Sequence, residues 1–167
     1  MYNIGDLVIY SAHGICKIND ICEKNVSGIT RSYYVLNPMD NKHHLTISIS
    51  VENDRVAMLD IINKDEAHEI LESFKSPGAE WIDKPNLRLT LYCDIISTGE
   101  RKEIAKVINT LMRKKIDVEL HDRKLNEQDR KLLINTQNIL FKELAISLNC
   151  SYEDINEMII RLIKGMN

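Results

Sequence analysis

Hydrophobic periodicity changes once along this chain, at Asn63, and that single change limits the architectures open to it. Before Asn63 the apolar residues come in short runs or alternate with polar ones. Leu45, Ile47 and Ile49 interleave with Thr46, Ser48 and Ser50, the period-2 pattern of a half-buried strand. After Asn63 apolar residues recur every three to four positions, as on one face of a helix. The expectation is an α+β protein with its strands first and its helices second.

The opening Ile4-Gly5-Asp6-Leu7-Val8-Ile9-Tyr10-Ser11-Ala12-His13-Gly14-Ile15-Cys16-Lys17 reads as a strand, a tight turn at His13-Gly14 and a second strand. Residues 31–36 form another strand, reached through a turn at Ser27-Gly28, and Asn37-Pro38-Met39-Asp40-Asn41 is the next turn. A last short strand covers Val56 to Leu59. Five short strands in about 60 residues, with no helix between them, predict a small antiparallel β-barrel.

Asn63 caps the first helix, with Asp65 and Glu66 at its positive end and Ile70, Leu71 and Phe74 on one face. Lys75-Ser76-Pro77-Gly78 stops that helix and reads as a linker. A second helix spans residues 86–97 and breaks at Ser97-Thr98-Gly99; a third runs from Glu100 to about Lys115 with Ile104, Val107, Ile108 and Leu111 as its stripe. A fourth starts at Asn126, with Glu127 and Asp129 in its first turn and a broad apolar face that includes Leu133, Leu140 and Leu144. Ser151-Tyr152-Glu153-Asp154 resembles a capping box and opens the last helix, which ends at Lys164-Gly165. The predicted domains are residues 1–62, a connecting helix and linker at 63–78, and a compact α-helical bundle at 79–167.

Several function classes fall away on residue content. No glycine loop cradles a phosphate, and there is no HExxH and no nucleophile elbow, so neither an enzyme nor a cofactor is expected. His43 and His44 are adjacent and point to opposite faces of a strand, and Cys16 and Cys22 are not at zinc-finger spacing, which argues against a metal site. No apolar run reaches the ~18 residues of a membrane span, and the first residues do not form a signal peptide. The protein is therefore expected to be cytoplasmic, with Cys16, Cys22, Cys93 and Cys150 as reduced, partly buried thiols.

Net charge is −3, so bulk charge does not attract nucleic acid. Residues 84–131 are nevertheless net +4, and Lys84, Arg88 and Lys106 lie where they can face phosphates near Trp81. A solvated helix face explains the same charges equally simply. Trp81, the single tryptophan, sits between Ser76-Pro77-Gly78-Ala79-Glu80 and Ile82-Asp83-Lys84-Pro85. One reading packs it in the seam between barrel and bundle. The other exposes it as a wedge that stacks on a partner, such as a kinked base step.

The opening Gly5-Asp6-Leu7-Val8-Ile9-Tyr10 with His13-Gly14 and Ile15-Cys16-Lys17-Ile18 resembles the CarD/CdnL transcription factors. Tyr33-Tyr34-Val35-Leu36, Trp81, Arg88, Ser97-Thr98-Gly99-Glu100 and Leu140-x2-Glu143-Leu144-Ala145 extend that resemblance, in order, over nearly the whole chain. It implies a Tudor-like N-terminal module, shared with the transcription-repair coupling helicase, that docks on the RNA polymerase β subunit. It also implies a C-terminal domain that meets promoter DNA at the upstream edge of the melted bubble, with Trp81 as a minor-groove wedge.

The residues implied for DNA are Trp81, Lys84, Arg88 and Lys106; those implied for polymerase are Lys24, Arg31, Thr46 and Ser48. Of two docking positions that the resemblance implies, Lys24 keeps its charge and Ser48 has lost it, and Ser11 stands where the family's turn carries a proline. Polymerase binding is thus expected to lean on strand-edge pairing and on Lys24 or Arg31. The expected DNA affinity is weak and largely sequence-independent, raised by docking on polymerase, and the expected state is a monomer or weak dimer. An alternative is a protein-interaction module that binds polymerase or another partner without touching DNA.

Overall fold

The computed structural model describes residues 1–10, 13–53 and 58–165, which form two compact units, Met1–Ile61 and Ile62–Asn167. The first unit is an antiparallel sheet of β1 (Leu7–Tyr10), β2 (Ile15–Val26), β3 (Ile29–Pro38), β4 (Ile47–Ser50) and β5 (Met58–Asp60), in the order β4-β3-β2-β1-β5. With β4 and β5 as its edges the sheet is open, so the predicted barrel holds only as a loose description. The last strand starts at Met58, and Val56, where it was expected to begin, lies outside the described residues, as do Ser11 and Ala12.

Strand alternation decides which side chains are buried. Val8, Cys16, Ile18, Tyr34, Leu36 and Ile49 line one face and make the core of this unit. A bulge between Ile18 and Asp20 resets the register, so that Lys24 pairs with Arg31 and Cys22 with Tyr33 on the opposite face. Ser27 (φ 54°) and Gly28 (φ 82°) turn the long β2–β3 hairpin, both in the left-handed region that a two-residue type I′ loop requires. The N-terminus is tied down by Tyr2, whose amide donates to Tyr34 Oη (3.1 Å) and whose hydroxyl donates to the Met58 carbonyl (3.2 Å).

The second unit holds α1 (Lys64–Ser73), α2 (Pro85–Ser97), α3 (Arg101–Leu120), α4 (Glu127–Leu148) and α5 (Tyr152–Ile163). Asn63 and Glu66 close a reciprocal capping box on α1, and Ser151 and Asp154 do the same on α5. Pro85 occupies the first turn of α2, where its missing N–H costs nothing. α3 outruns its expected end by several residues because Val118 continues the buried stripe.

α1 is no connector. Ala67, Ile70, Leu71 and Phe74 are buried in the same core as Tyr92, Ile108, Leu111, Phe141, Leu144, Ile155 and Ile159, so this helix belongs to the bundle. Phe74 meets the Phe141 ring edge-on at 6.4 Å. Glu143 fixes the entry to the bundle: it is 1% exposed, accepts the Ile62 amide (3.0 Å) and pairs with Arg101 (3.1 Å). Burial pushes its carboxyl above the usual glutamate range, against the opposing pull of Arg101.

Candidate functional site

Trp81 stands on an extended strap, residues 76–83, between α1 and α2, and the bundle grips that strap by its main chain. Asn109 Nδ2 donates to the Ser76 carbonyl at 2.8 Å, and Arg113 reaches the carbonyls of Phe74 (2.9 Å) and Ser76 (3.4 Å). The Ala79 amide donates to the Lys106 carbonyl (3.1 Å), and Thr110 Oγ1 donates to the Ala79 carbonyl (2.6 Å). Tyr92 Oη donates to the Glu80 carbonyl at 2.7 Å, and Arg88 Nη1 to the Ile82 carbonyl at 2.5 Å. Asn109 and Thr110 are buried polar residues inside the α3 stripe, and the strap is where their hydrogen bonds go.

On this frame Trp81 is half-buried, its ring packed against the rim of the helical core. The seam reading placed it between two domains; its recorded partners are side chains of the bundle itself. The Arg88 guanidinium stacks 4.0 Å from the ring centroid, and Lys114 Nζ lies 5.0 Å from it. The indole is thus partly buried, with two cations at its π system, on a strap whose main chain is held on both sides of it.

The predicted DNA-facing residues divide. Lys84, at the N-cap of α2, is exposed. Lys106 is exposed but pairs with Glu103 at 2.7 Å, and it meets the strap through its carbonyl. Arg88 corrects its sequence reading: it is 3% exposed and forks onto Asp129, Nε to Oδ1 at 3.0 Å and Nη2 to Oδ2 at 2.5 Å. A guanidinium so committed is turned inward, away from any phosphate. The local positive charge is largely spent inside the unit as well. Arg101 pairs with Glu143, Lys102 with Glu69, Lys115 with Glu119 and Arg130 with Glu127. Within residues 84–131, Lys84, Arg123, Lys124 and Lys131 are the exposed cations outside these pairs.

The predicted polymerase-facing residues come together in the first unit. Lys24, Arg31 and Ser48 lie on the outer face of β2, β3 and β4, opposite the core. Lys24 Nζ donates to Ser48 Oγ at 2.7 Å and lies 5.7 Å from the Tyr33 ring centroid. Arg31 is exposed beside it, and Thr46, just before β4, accepts from Asn37 Nδ2 at 3.3 Å.

Sequence reasoning missed Asp129, Lys114, Asn109, Thr110, Tyr92 and Gly78. The readable signal was Asn109-Thr110, a polar pair interrupting an apolar helical stripe. Asp129 carried none, because an acidic residue in a first helical turn already has a sufficient explanation in the helix dipole.

Two family models match the chain: the CarD-like/TRCF RID domain over residues 2–62 and the CarD C-terminal domain over residues 69–160. The chain is also similar to a protein of Bacillus subtilis (strain 168) named "Putative transcription factor YdeB". The two are 28% identical over 148 residues, which covers 87% of this chain and 92% of the relative.

Proposed function

Because this chain belongs to the CarD family of transcription regulators, whose N-terminal domain interacts with RNA polymerase, we propose that it docks on the polymerase β subunit and stabilises promoter open complexes with Trp81. Docking uses the outer face of β2, β3 and β4, where Lys24, Arg31 and Ser48 are neighbours and Thr46 lies just before β4. The observation that carries the reading is Trp81 itself, half-buried and stacked on Arg88 at 4.0 Å, on a strap whose carbonyls are held from both α2 and α3.

Unstacking a base step costs a few kcal/mol, and an apolar ring already fixed in its working pose offsets part of that without paying again for its own ordering. Lys84 directly follows the strap as an exposed cation and serves a phosphate there, whereas Lys75, which directly precedes it, pairs with Glu72. With most bundle cations neutralised internally, DNA contact is weak alone and depends on the local concentration that polymerase docking provides.

The test uses full-length protein with purified polymerase on a promoter that melts slowly. Trp81→Ala is expected to keep polymerase binding and shorten the open-complex lifetime by about tenfold, or ~1.4 kcal/mol. Lys24→Glu, which breaks the bond to Ser48 and reverses the charge, is expected to lose capture by a β-lobe fragment. An unchanged lifetime with Trp81→Ala rejects the wedge. A second reading, polymerase binding without DNA contact, is favoured by the internal pairing of the bundle cations, and that same unchanged lifetime is what it requires.

A further inference from the structure

We infer that Asp129, at the start of α4, sets the pose of the Trp81 blade by holding Arg88 beneath the indole, and so acts as a positioning residue for the proposed open-complex activity. The inference rests on the wedge reading for its functional consequence, but its geometry stands apart from it.

Arg88 makes two kinds of contact at once. Its edge forks onto both Asp129 oxygens, at 3.0 and 2.5 Å, while its Cζ lies over the Trp81 ring, 4.0 Å from the centroid. A guanidinium is flat, and a bidentate carboxylate lies in its plane. Fixing the edge therefore fixes the tilt of the plane on which the indole rests. The remaining nitrogen, Nη1, donates to the Ile82 carbonyl at 2.5 Å, on the residue that follows Trp81. Arg88 thus constrains both the ring and the backbone that carries it.

Asp129 is 2% exposed and Arg88 3%, so the pair has no water to fall back on. Lysine at 88 cannot reproduce the arrangement, because an ammonium has neither the fork nor the stacking plane. Lys114, 5.0 Å from the ring, is tethered only loosely by Asp117 at 4.0 Å and is half-exposed, so it does not set the tilt by itself.

Trp81 is the only tryptophan, which makes its fluorescence a direct report on its pose. Asp129→Asn keeps the shape of the side chain but removes the charge-assisted fork. Acrylamide quenching of Trp81 is expected to rise and its emission to shift, with far-ultraviolet circular dichroism unchanged. Open-complex lifetime is expected to fall toward that of Trp81→Ala, while β-lobe capture stays at the wild-type level.

Should the unpaired arginine unfold the bundle, the double variant Arg88→Met with Asp129→Leu removes both charges and keeps the volume filled. It is expected to fold, to show the same rise in quenching and to lose the same lifetime. Asp129→Glu retains a carboxylate and is expected to recover part of the wild-type quenching. Folded Asp129→Asn, or the folded double variant, with wild-type quenching and emission overturns the positioning role. If quenching changes while Trp81→Ala leaves the lifetime unaltered, the positioning role holds and the wedge reading is the one that fails.

Discussion

Gly78 packs so tightly against Thr110 that a Cβ on it would overlap the threonine hydroxyl and stand 2.7 Å from the Thr110 amide nitrogen and 2.5 Å from the Lys106 carbonyl. The requirement is for closeness rather than for an unusual backbone angle. Gly78→Ala must push the strap off α3, and the expected loss is about 1–3 kcal/mol of stability, the usual result of overfilling a packed site. Calorimetry reads that loss, and Trp81 emission reads the displaced strap in the protein that remains folded.

Glu143 gives a pH signature. Burial raises its folded carboxyl above the unfolded value, so the folded protein holds more protons in the window between the two. In that window, just above the ordinary glutamate range, stability falls as pH rises. Glu143→Gln keeps an acceptor for the Ile62 amide and is expected to remove that slope at a loss of about 1 kcal/mol or less. Glu143→Leu removes the acceptor of the Ile62 amide and the carboxylate that pairs with Arg101, and is expected to cost about 3 kcal/mol. Urea unfolding at several pH values separates the two variants.

The α5 capping box offers a simpler test. Ser151 Oγ accepts the Asp154 amide at 3.0 Å, and the Asp154 carboxylate accepts the Ser151 amide at 3.0 Å. Ser151→Ala is expected to lower stability by about 1 kcal/mol, measured by thermal unfolding, without altering the helical signal of the native state.

The thiols should differ in reactivity. Burial pushes Cys16 up to about 11 and also raises Cys150, whereas Cys93 is exposed on α2. Iodoacetamide at pH 8 is expected to label Cys93 first and Cys16 only after denaturation, since the thiolate is the reacting form. Mass spectrometry of timed samples gives the order, and early labelling of Cys16 in native protein contradicts the packing of the sheet core.

The elements were legible where one local rule decides each of them. Asn63 and Ser151 announce helix starts, Ser27-Gly28 announces a hairpin, and the alternation around Ile47 and Ile49 announces a half-buried strand. Sheet closure was not legible, because whether β4 and β5 meet depends on long-range twist that short strand patterns do not encode. The membership of α1 was misread because Ser76-Pro77-Gly78 looks like a flexible break. In the fold that same segment is pinned by Asn109 and Arg113, residues more than 30 positions away. Arg88 shows the limit most clearly. Its charge and its proximity to Trp81 in sequence suggested a phosphate, and only the partner at Asp129, 41 residues on, turns it inward.

The grip on the strap falls on carbonyl and amide groups, and these are the same whatever side chains the strap bears. Display is thereby separated from what is displayed. The residues that must stay fixed are Arg88, Tyr92, Asn109 and Thr110, buried in the helices, together with Gly78. The exposed residues at 80 and 83 take no part in that grip through their side chains and can be exchanged without rebuilding the mount. The surface around Trp81 can then change its charge at those two positions while the mount beneath it is inherited unchanged.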